Sequence, residues 1–215
     1  MQVMAMAIQF WNDDNTKESF EVMRRLVGKI DFVLIGGWAV FYYTGQQKSL
    51  DIDIAIDYGA LDYFKEYGIS QYEGMHIQYS IIERIYIDLF IDGFSDRDLP
   101  FPVKDIMDGY VMIEGIKVVE KELLILLKTW GYFRVDEKKH DKDIIDTLSL
   151  LFFANLDFAK IRGYITKYKI PEQKGTGAML EYLALGKRFI ANLDISEGEF
   201  LRRKAFCIKQ LHNIE

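Results

Sequence analysis

Cysteine is nearly absent from this chain: Cys207 is the only one in 215 residues. An intrachain disulfide and a cysteine-based zinc site are therefore both excluded. Cys207 itself has no nucleophile context and reads as a buried small hydrophobe. Histidine is scarce too, and His76, His140 and His212 lack the spacing of a metal site. No apolar run approaches the roughly 20 residues a membrane-crossing helix needs. The N-terminus has no basic start, apolar run and small-residue cleavage site, so no signal peptide is expected. Together these absences lead to the expectation of a cytoplasmic protein. Net positive charge is also missing. The formal charge of −6 argues against a generic nucleic-acid binder.

Half of the residues are hydrophobic and 28% are charged, a globular balance with enough chain for one large domain or two small ones. The charge is unevenly spread. Met1 to Gly115 carries 9 Lys+Arg against 19 Asp+Glu, whereas Ile116 to Glu215 carries 18 against 14. The basic half could face the phosphates of a nucleotide or an RNA, or simply vary as any surface does. Arg202-Arg203-Lys204 reads first as a solvated basic face and second as an RNA contact.

The periodicity changes once along the chain. Met1 to Phe10 reads as a strand or an early helix turn, Asn12 to Thr16 as a polar break, and Lys17 to Lys29 as a helix with Phe20, Met23, Leu26 and Val27 on one face. Phe32 to Ile35 is a short buried strand, Trp38 to Tyr43 a short helix closed by Gly45. Leu61 to Tyr67 reads as helix. Met75 to Ile82 and Ile85 to Asp92 read as a hairpin around Glu83-Arg84, Gly93 to Pro102 as a loop, and Tyr110 to Val119 as a second hairpin at Glu114-Gly115. From Lys121 onward the pattern is helical: a stripe of Leu123, Leu124, Leu127 and Trp130, then Asp141 to Phe153, Phe158 to Tyr168, Met179 to Asn192 and Gly198 to Asn213, with a flexible break at Lys174 to Gly177. The expected architecture is α+β. A small mixed sheet with flanking helices fills residues 1–119, and an α-helical domain fills 120–215.

One stretch speaks of chemistry. Val33-Leu34-Ile35 runs into Gly36-Gly37-Trp38-Ala39-Val40, and Ser49-Leu50-Asp51-Ile52-Asp53 follows. Leu50, Ile52, Ile54 and Ile56 alternate with Asp51, Asp53, Ala55 and Asp57, giving a strand with one apolar and one largely acidic face. Asp51 and Asp53 would then project together, and Asp88 occupies the polar face of a second strand. If those strands are neighbours, three carboxylates converge and repel one another. A hard divalent cation, Mg²⁺ or Mn²⁺, resolves the repulsion. Gly36 and Gly37 let backbone approach a ligand, and the helix starting there aims free N–H groups at it, a favourable place for phosphate. Ser49 is a further candidate for a phosphate oxygen. A half-exposed strand with alternate acids remains the plainer alternative.

These residues resemble the signature of the polymerase-beta-like nucleotidyltransferase superfamily: a glycine turn after a strand, a helix, then two alternate acids on the next strand. Tyr86-Ile87-Asp88-Leu89 looks like its third-carboxylate strand. Gly-Gly-Trp-Ala-Val is similar to one group of antibiotic nucleotidyltransferases. Leu123 to Lys128, Arg134 and Lys142-Asp143-Ile144-Ile145-Asp146 look like the AbiEii-type toxin nucleotidyltransferases. The resemblance covers roughly Ile30 to Phe153. It implies transfer of a nucleoside monophosphate from NTP to a hydroxyl, with release of pyrophosphate. Asp51, Asp53 and Asp88 would hold Mg²⁺ or Mn²⁺, and Asp88 would help deprotonate the acceptor. Gly36, Gly37, Ser49, Lys48 and Lys128 would bind nucleotide. Asp143 and Asp146 would orient Lys128 or Arg134, unless they serve only as surface or capping residues; Lys128 has its own alternative as a lysine snorkelling at a helix edge.

The pattern departs from the superfamily in two places. Gly37 stands where a serine is common, and Gln46-Gln47-Lys48 stands where an arginine is common. The acceptor implied is RNA or tRNA, a protein or a small molecule, with an antitoxin partner in the toxin-like case. The alternative is a catalytically inactive fold that binds nucleotide or a partner.

Overall fold

The computed structural model describes residues 13–131 and 137–212. The expectations for Met1 to Phe10 and for Arg134 lie outside the described residues. The first helix, α1, spans Asp13–Leu26, so the polar stretch from Asp13 to Thr16 is its first turn and not a break. Val22, Met23 and Leu26 are buried beneath it, while Val27 lies past the helix end and is exposed.

Next come β1 (Val33–Ile35), α2 (Gly36–Thr44) and β2 (Ile52–Ile56). α2 is apolar nearly all round, and such a helix must be enclosed. It is covered by α5 (Lys121–Trp130) and α6 (Glu137–Phe153) on one side and by β1 and β2 on the other. At its centre the buried Trp38 indole N–H donates to the Ser19 hydroxyl at 2.9 Å, fastening α2 to α1.

Both expected hairpins are present: β4 (Gln78–Ile82) with β5 (Ile85–Ile91), and β6 (Tyr110–Ile113) with β7 (Ile116–Val119). Glu83 and Arg84 both adopt positive φ, 50° and 72°, as a two-residue hairpin turn demands of its central pair. Neither residue favours that region. Each is tied to α1, Glu83 to Arg25 at 2.6 Å and Arg84 to Glu18 at 3.4 Å.

The edge strand β3 (Ser70–Gln71) and the helix α4 (Val103–Asp108) appear where the sequence suggested neither. A two-residue strand shows no period to read. α4 starts straight after Pro102 and buries Val103 and Ile106, one helical turn apart. The helix expected over Leu61 to Tyr67 shortens to α3 (Leu61–Phe64), led in by a 3-10 turn whose Ala60 N–H donates to the Asp57 carboxylate.

These strands form a seven-stranded mixed sheet in the order β3-β4-β5-β2-β1-β7-β6. β2 runs parallel to β5 and antiparallel to β1. The fold is α+β, as expected, with the helices concentrated after the last strand.

β7 ends at Val119 and α5 begins at Lys121, so the change of period near Glu120 is real. The apolar core nevertheless runs across it, from Val22 through Ile145 to Leu211. α7 (Phe158–Tyr168) is capped by the Asp157 carboxylate, which accepts from the N–H groups of Ala159 and Lys160. α8 (Thr176–Leu185) starts inside the expected break at Lys174 to Gly177. The helix expected to run on to Asn192 tightens at Gly186 into a 3-10 segment. A Cβ at Gly186 would stand 2.9 Å from Leu148 and 3.0 Å from the Phe200 ring, so its bare backbone packs against α6 and α9 (Glu197–His212). Among the described residues no helix is long and apolar enough to cross a membrane.

Candidate active site

Sheet register assembles the site. Ile35 at the end of β1 pairs with Asp53 on β2, Asp53 pairs with Asp88 on β5, and Asp88 pairs with Tyr79 on β4. One row across four strands therefore runs from the glycine turn, through two carboxylates, to a tyrosine. Neighbouring strands lie about 4.8 Å apart, so Asp53 and Asp88 project side by side.

Gly36 opens α2 with a φ of 66°. A Cβ there would overlap the Asp53 carboxylate, so two separate constraints require glycine. At Gly37 a Cβ would stand 2.5 Å from Ser49 Oγ and 2.7 Å from Lys142 Nζ. The α2 N-terminus has no side-chain cap and no acid in its own first turn. Its orphan N–H groups and the positive end of its dipole lie beside Asp53 and Lys142.

Asp51 lies in a bend before β2 and not on the strand itself. Ser49 is fully buried and donates to Asp51 Oδ1 at 2.6 Å. The serine expected to meet phosphate thus orients a carboxylate. Lys48 is exposed on the loop after α2. The neighbouring Gln47 side chain donates to the Asn192 carbonyl at 3.2 Å, which brings the helical half to the edge of the site.

Behind α2, α5 and α6 supply a buried charge network. Lys128 Nζ lies 2.7 Å from Asp146 Oδ2 and 3.6 Å from Asp143 Oδ1, and Lys142 Nζ lies 3.1 Å from the same Asp146 oxygen. Lys128 is thus an interior group and not a snorkelling lysine. Burial opposes its charge, but Asp146, Asp143 and Asp53 outweigh burial and hold it well above the usual lysine range. Asp146 is also opposed by burial, yet Lys128 and Lys142 keep it below the usual carboxylate range.

The acids near α2 divide. Burial would raise Asp51, but Lys142, the Ser49 hydrogen bond and Lys128 hold it below its ordinary value. Asp53 is pushed up to about 7 by burial, by Asp51 and by Asp88. On the far side, the Tyr72 hydroxyl donates to Asp88 Oδ1 at 2.7 Å. Burial and that hydrogen bond push the Tyr72 phenol far up, so it stays protonated. The Tyr72 ring packs on Tyr79 with centroids 4.6 Å apart, and Tyr79 on Tyr86 at 5.6 Å.

The chain was compared with family models and with curated proteins, and nothing matches it.

Donor chemistry suits a hard divalent cation. The groups are carboxylates, and the crowding around Asp53 favours added positive charge. Among the described residues, however, no three His, Cys, Asp or Glu side chains stand close enough to form a ready-made cation cage. Asp51 is engaged by Ser49 and Asp88 by Tyr72.

Gly36, Gly37, Ser49, Asp51, Asp53, Asp88 and Lys128 thus gather around the start of α2. Sequence reasoning missed Lys142 and Tyr72 as members. Lys142 had a signal, since it sits four residues before Asp146 on a helix, the spacing of an ion pair. Tyr72 had none: it follows a two-residue strand on the sheet edge.

Proposed function

We propose that this chain is a metal-dependent nucleotidyltransferase that moves a nucleoside monophosphate from NTP to a hydroxyl acceptor and releases pyrophosphate. The observation that carries the reading is the register of Asp53 with Asp88, beside an uncapped helix N-terminus that only glycine can form.

The phosphates belong at the start of α2, where backbone N–H groups and Lys142 supply positive charge. Lys128 holds Asp146 and balances Asp53 from behind. Asp51, Asp53 and Asp88 would hold Mg²⁺ or Mn²⁺, which when bound supplies charge neutralisation of triphosphate and carboxylates. The acceptor hydroxyl approaches from the Asp88 side, gives its proton to that carboxylate and attacks the α-phosphorus. The bond from the α-phosphorus to the bridging oxygen breaks, and pyrophosphate leaves.

The acceptor classes to test are an RNA or tRNA 3′ end, a protein hydroxyl and a small molecule. Between Asp57 and Asp98 there are 9 acids against 3 Lys+Arg. That local charge favours an acceptor that is not a long polyanion. A toxin-like role with an antitoxin partner is part of the same proposal, and growth arrest on expression, relieved by Asp51→Asn, is its expected sign.

A second reading is a catalytically inactive protein that binds nucleotide. It is favoured by the absence of a ready-made cage among the described residues. Incubation with Mg²⁺, each labelled NTP and cell extract separates the two. Label in RNA, protein or a small molecule supports transfer. Retained NTP with neither label nor pyrophosphate release supports binding alone.

A further inference from the structure

Two hydroxyls are hydrogen-bonded to the candidate carboxylates, and their surroundings differ. Ser49 is sealed, fully buried against Gly37 and spent on Asp51. Tyr72 is only partly buried, and its hydroxyl donates to Asp88, the carboxylate assigned to deprotonate the acceptor. Its oxygen therefore stands where an acceptor oxygen must stand.

Direction agrees with position. In an in-line displacement the attacking and leaving oxygens lie on opposite sides of the phosphorus. The α2 N-terminus and Lys142 follow β1, on one side of Asp53. Asp88, Tyr79 and Tyr72 follow in order on the other side, across β5, β4 and the end of β3. A triphosphate seated at α2 would point its pyrophosphate away from Tyr72.

Local structure delivers this one side chain. Ser70 and Gln71, the two residues of β3, are exposed. The turn after them is closed by the Tyr72 N–H donating to the Ile77 carbonyl at 3.1 Å and by the Gln71 side chain donating to the Met75 carbonyl at 2.7 Å. The Tyr79 ring supports the Tyr72 ring from the adjacent strand.

We infer that Tyr72 is a self-modification site, and that the chain transfers a nucleoside monophosphate to its own Tyr72 hydroxyl. The inference rests on the nucleotidyltransferase reading. A bond forms from Tyr72 Oη to the α-phosphorus, and the phenolic proton passes to Asp88. The bond from the α-phosphorus to the bridging oxygen breaks, and pyrophosphate leaves with its electron pair. No further reactant is required. The phosphodiester on Tyr72 would fill the acceptor side of the site, so the modified chain would be closed to other acceptors.

The test is intact-mass measurement of the purified chain after incubation with Mn²⁺ or Mg²⁺ and each NTP, followed by peptide mapping. The expected result is a gain of one nucleoside monophosphate per chain on the peptide containing Tyr72, absent from Asp51→Asn and from Tyr72→Phe. Mapping the unaltered chain needs no variant to fold. Label on another residue, or transfer to an external acceptor with Tyr72 unmodified, overturns this inference and leaves the transferase reading standing. A chain that neither gains mass nor releases pyrophosphate with any acceptor overturns both.

Discussion

Asp53 and Asp88 are directly opposed on the parallel strands β2 and β5, and Asp53 lies against the start of α2. Nothing in packing requires two carboxylates there. Their proximity, with Asp51 and burial, pushes Asp53 up to about 7, so the metal-free fold carries a cost at neutral pH.

The sign of that cost can be tested. The folded-state value lies above the ordinary carboxylate value, so between about pH 4 and pH 7 the folded chain keeps a proton that the unfolded chain has lost. Stability from this group therefore falls as pH rises through that window. Asp53→Asn should raise the melting temperature in chelator at pH 8, by roughly 3–10 °C, and change it little at pH 4. Added Mn²⁺ should stabilise the unaltered chain more at pH 8 than at pH 5, and the variant much less at either. Differential scanning calorimetry reads both.

Gly36→Ala and Gly37→Ala should behave differently although the residues are adjacent. The first forces a side chain into positive φ and into Asp53, and should cost roughly 2–4 kcal/mol in a denaturant titration. The second meets Ser49 and the flexible end of Lys142. With no positive φ to strain, it should cost less stability than the first, displace Ser49 from Asp51 and weaken nucleotide binding, measured by calorimetric titration.

Asp146→Ala removes the carboxylate that two interior lysines share. Asp146 is fully buried and accepts from both Lys128 and Lys142. Loss of one member of a buried ion network costs roughly 3–5 kcal/mol, here read from urea midpoints. Because Asp146 is held below its ordinary value, the stability it supplies is present above about pH 4. It is lost as pH falls through the folded-state value, so the variant and the unaltered chain should converge in acid.

Cys207 should be inert while the chain is folded. It is buried, and burial pushes its thiol up to about 12. Thiol-reactive dye at pH 8 should label it slowly in buffer and quickly in denaturing urea. Equal rates would place it at the surface.

Much of this fold was legible because its chemistry is local. The two hairpins, the glycine turn and the alternation through Asp53 follow from neighbouring residues, and Asp88 was already on the polar face of its strand. Asp51 was harder. Its hydrogen bond with Ser49 is a side-chain link two residues long, and it accompanies a bend where the alternation suggested strand.

What joins distant segments could not be read. The pairing of β2 with β5 spans a 3-10 turn, α3, β3 and a hairpin arm. Lys142 reaches Gly37 from a helix more than a hundred residues onward, and Tyr72 reaches Asp88 from an edge strand too short to show a period. The role expected of Ser49 also moved, because burial turned its hydroxyl inward.

The most direct measurement is the rate of pyrophosphate release from NTP and Mg²⁺ in the presence of cell extract, for the purified chain and for Asp88→Asn. The account predicts release by the unaltered chain and a rate lower by roughly 10²–10⁴-fold in the variant, whose melting temperature should not fall. Equal release by both proteins would contradict it.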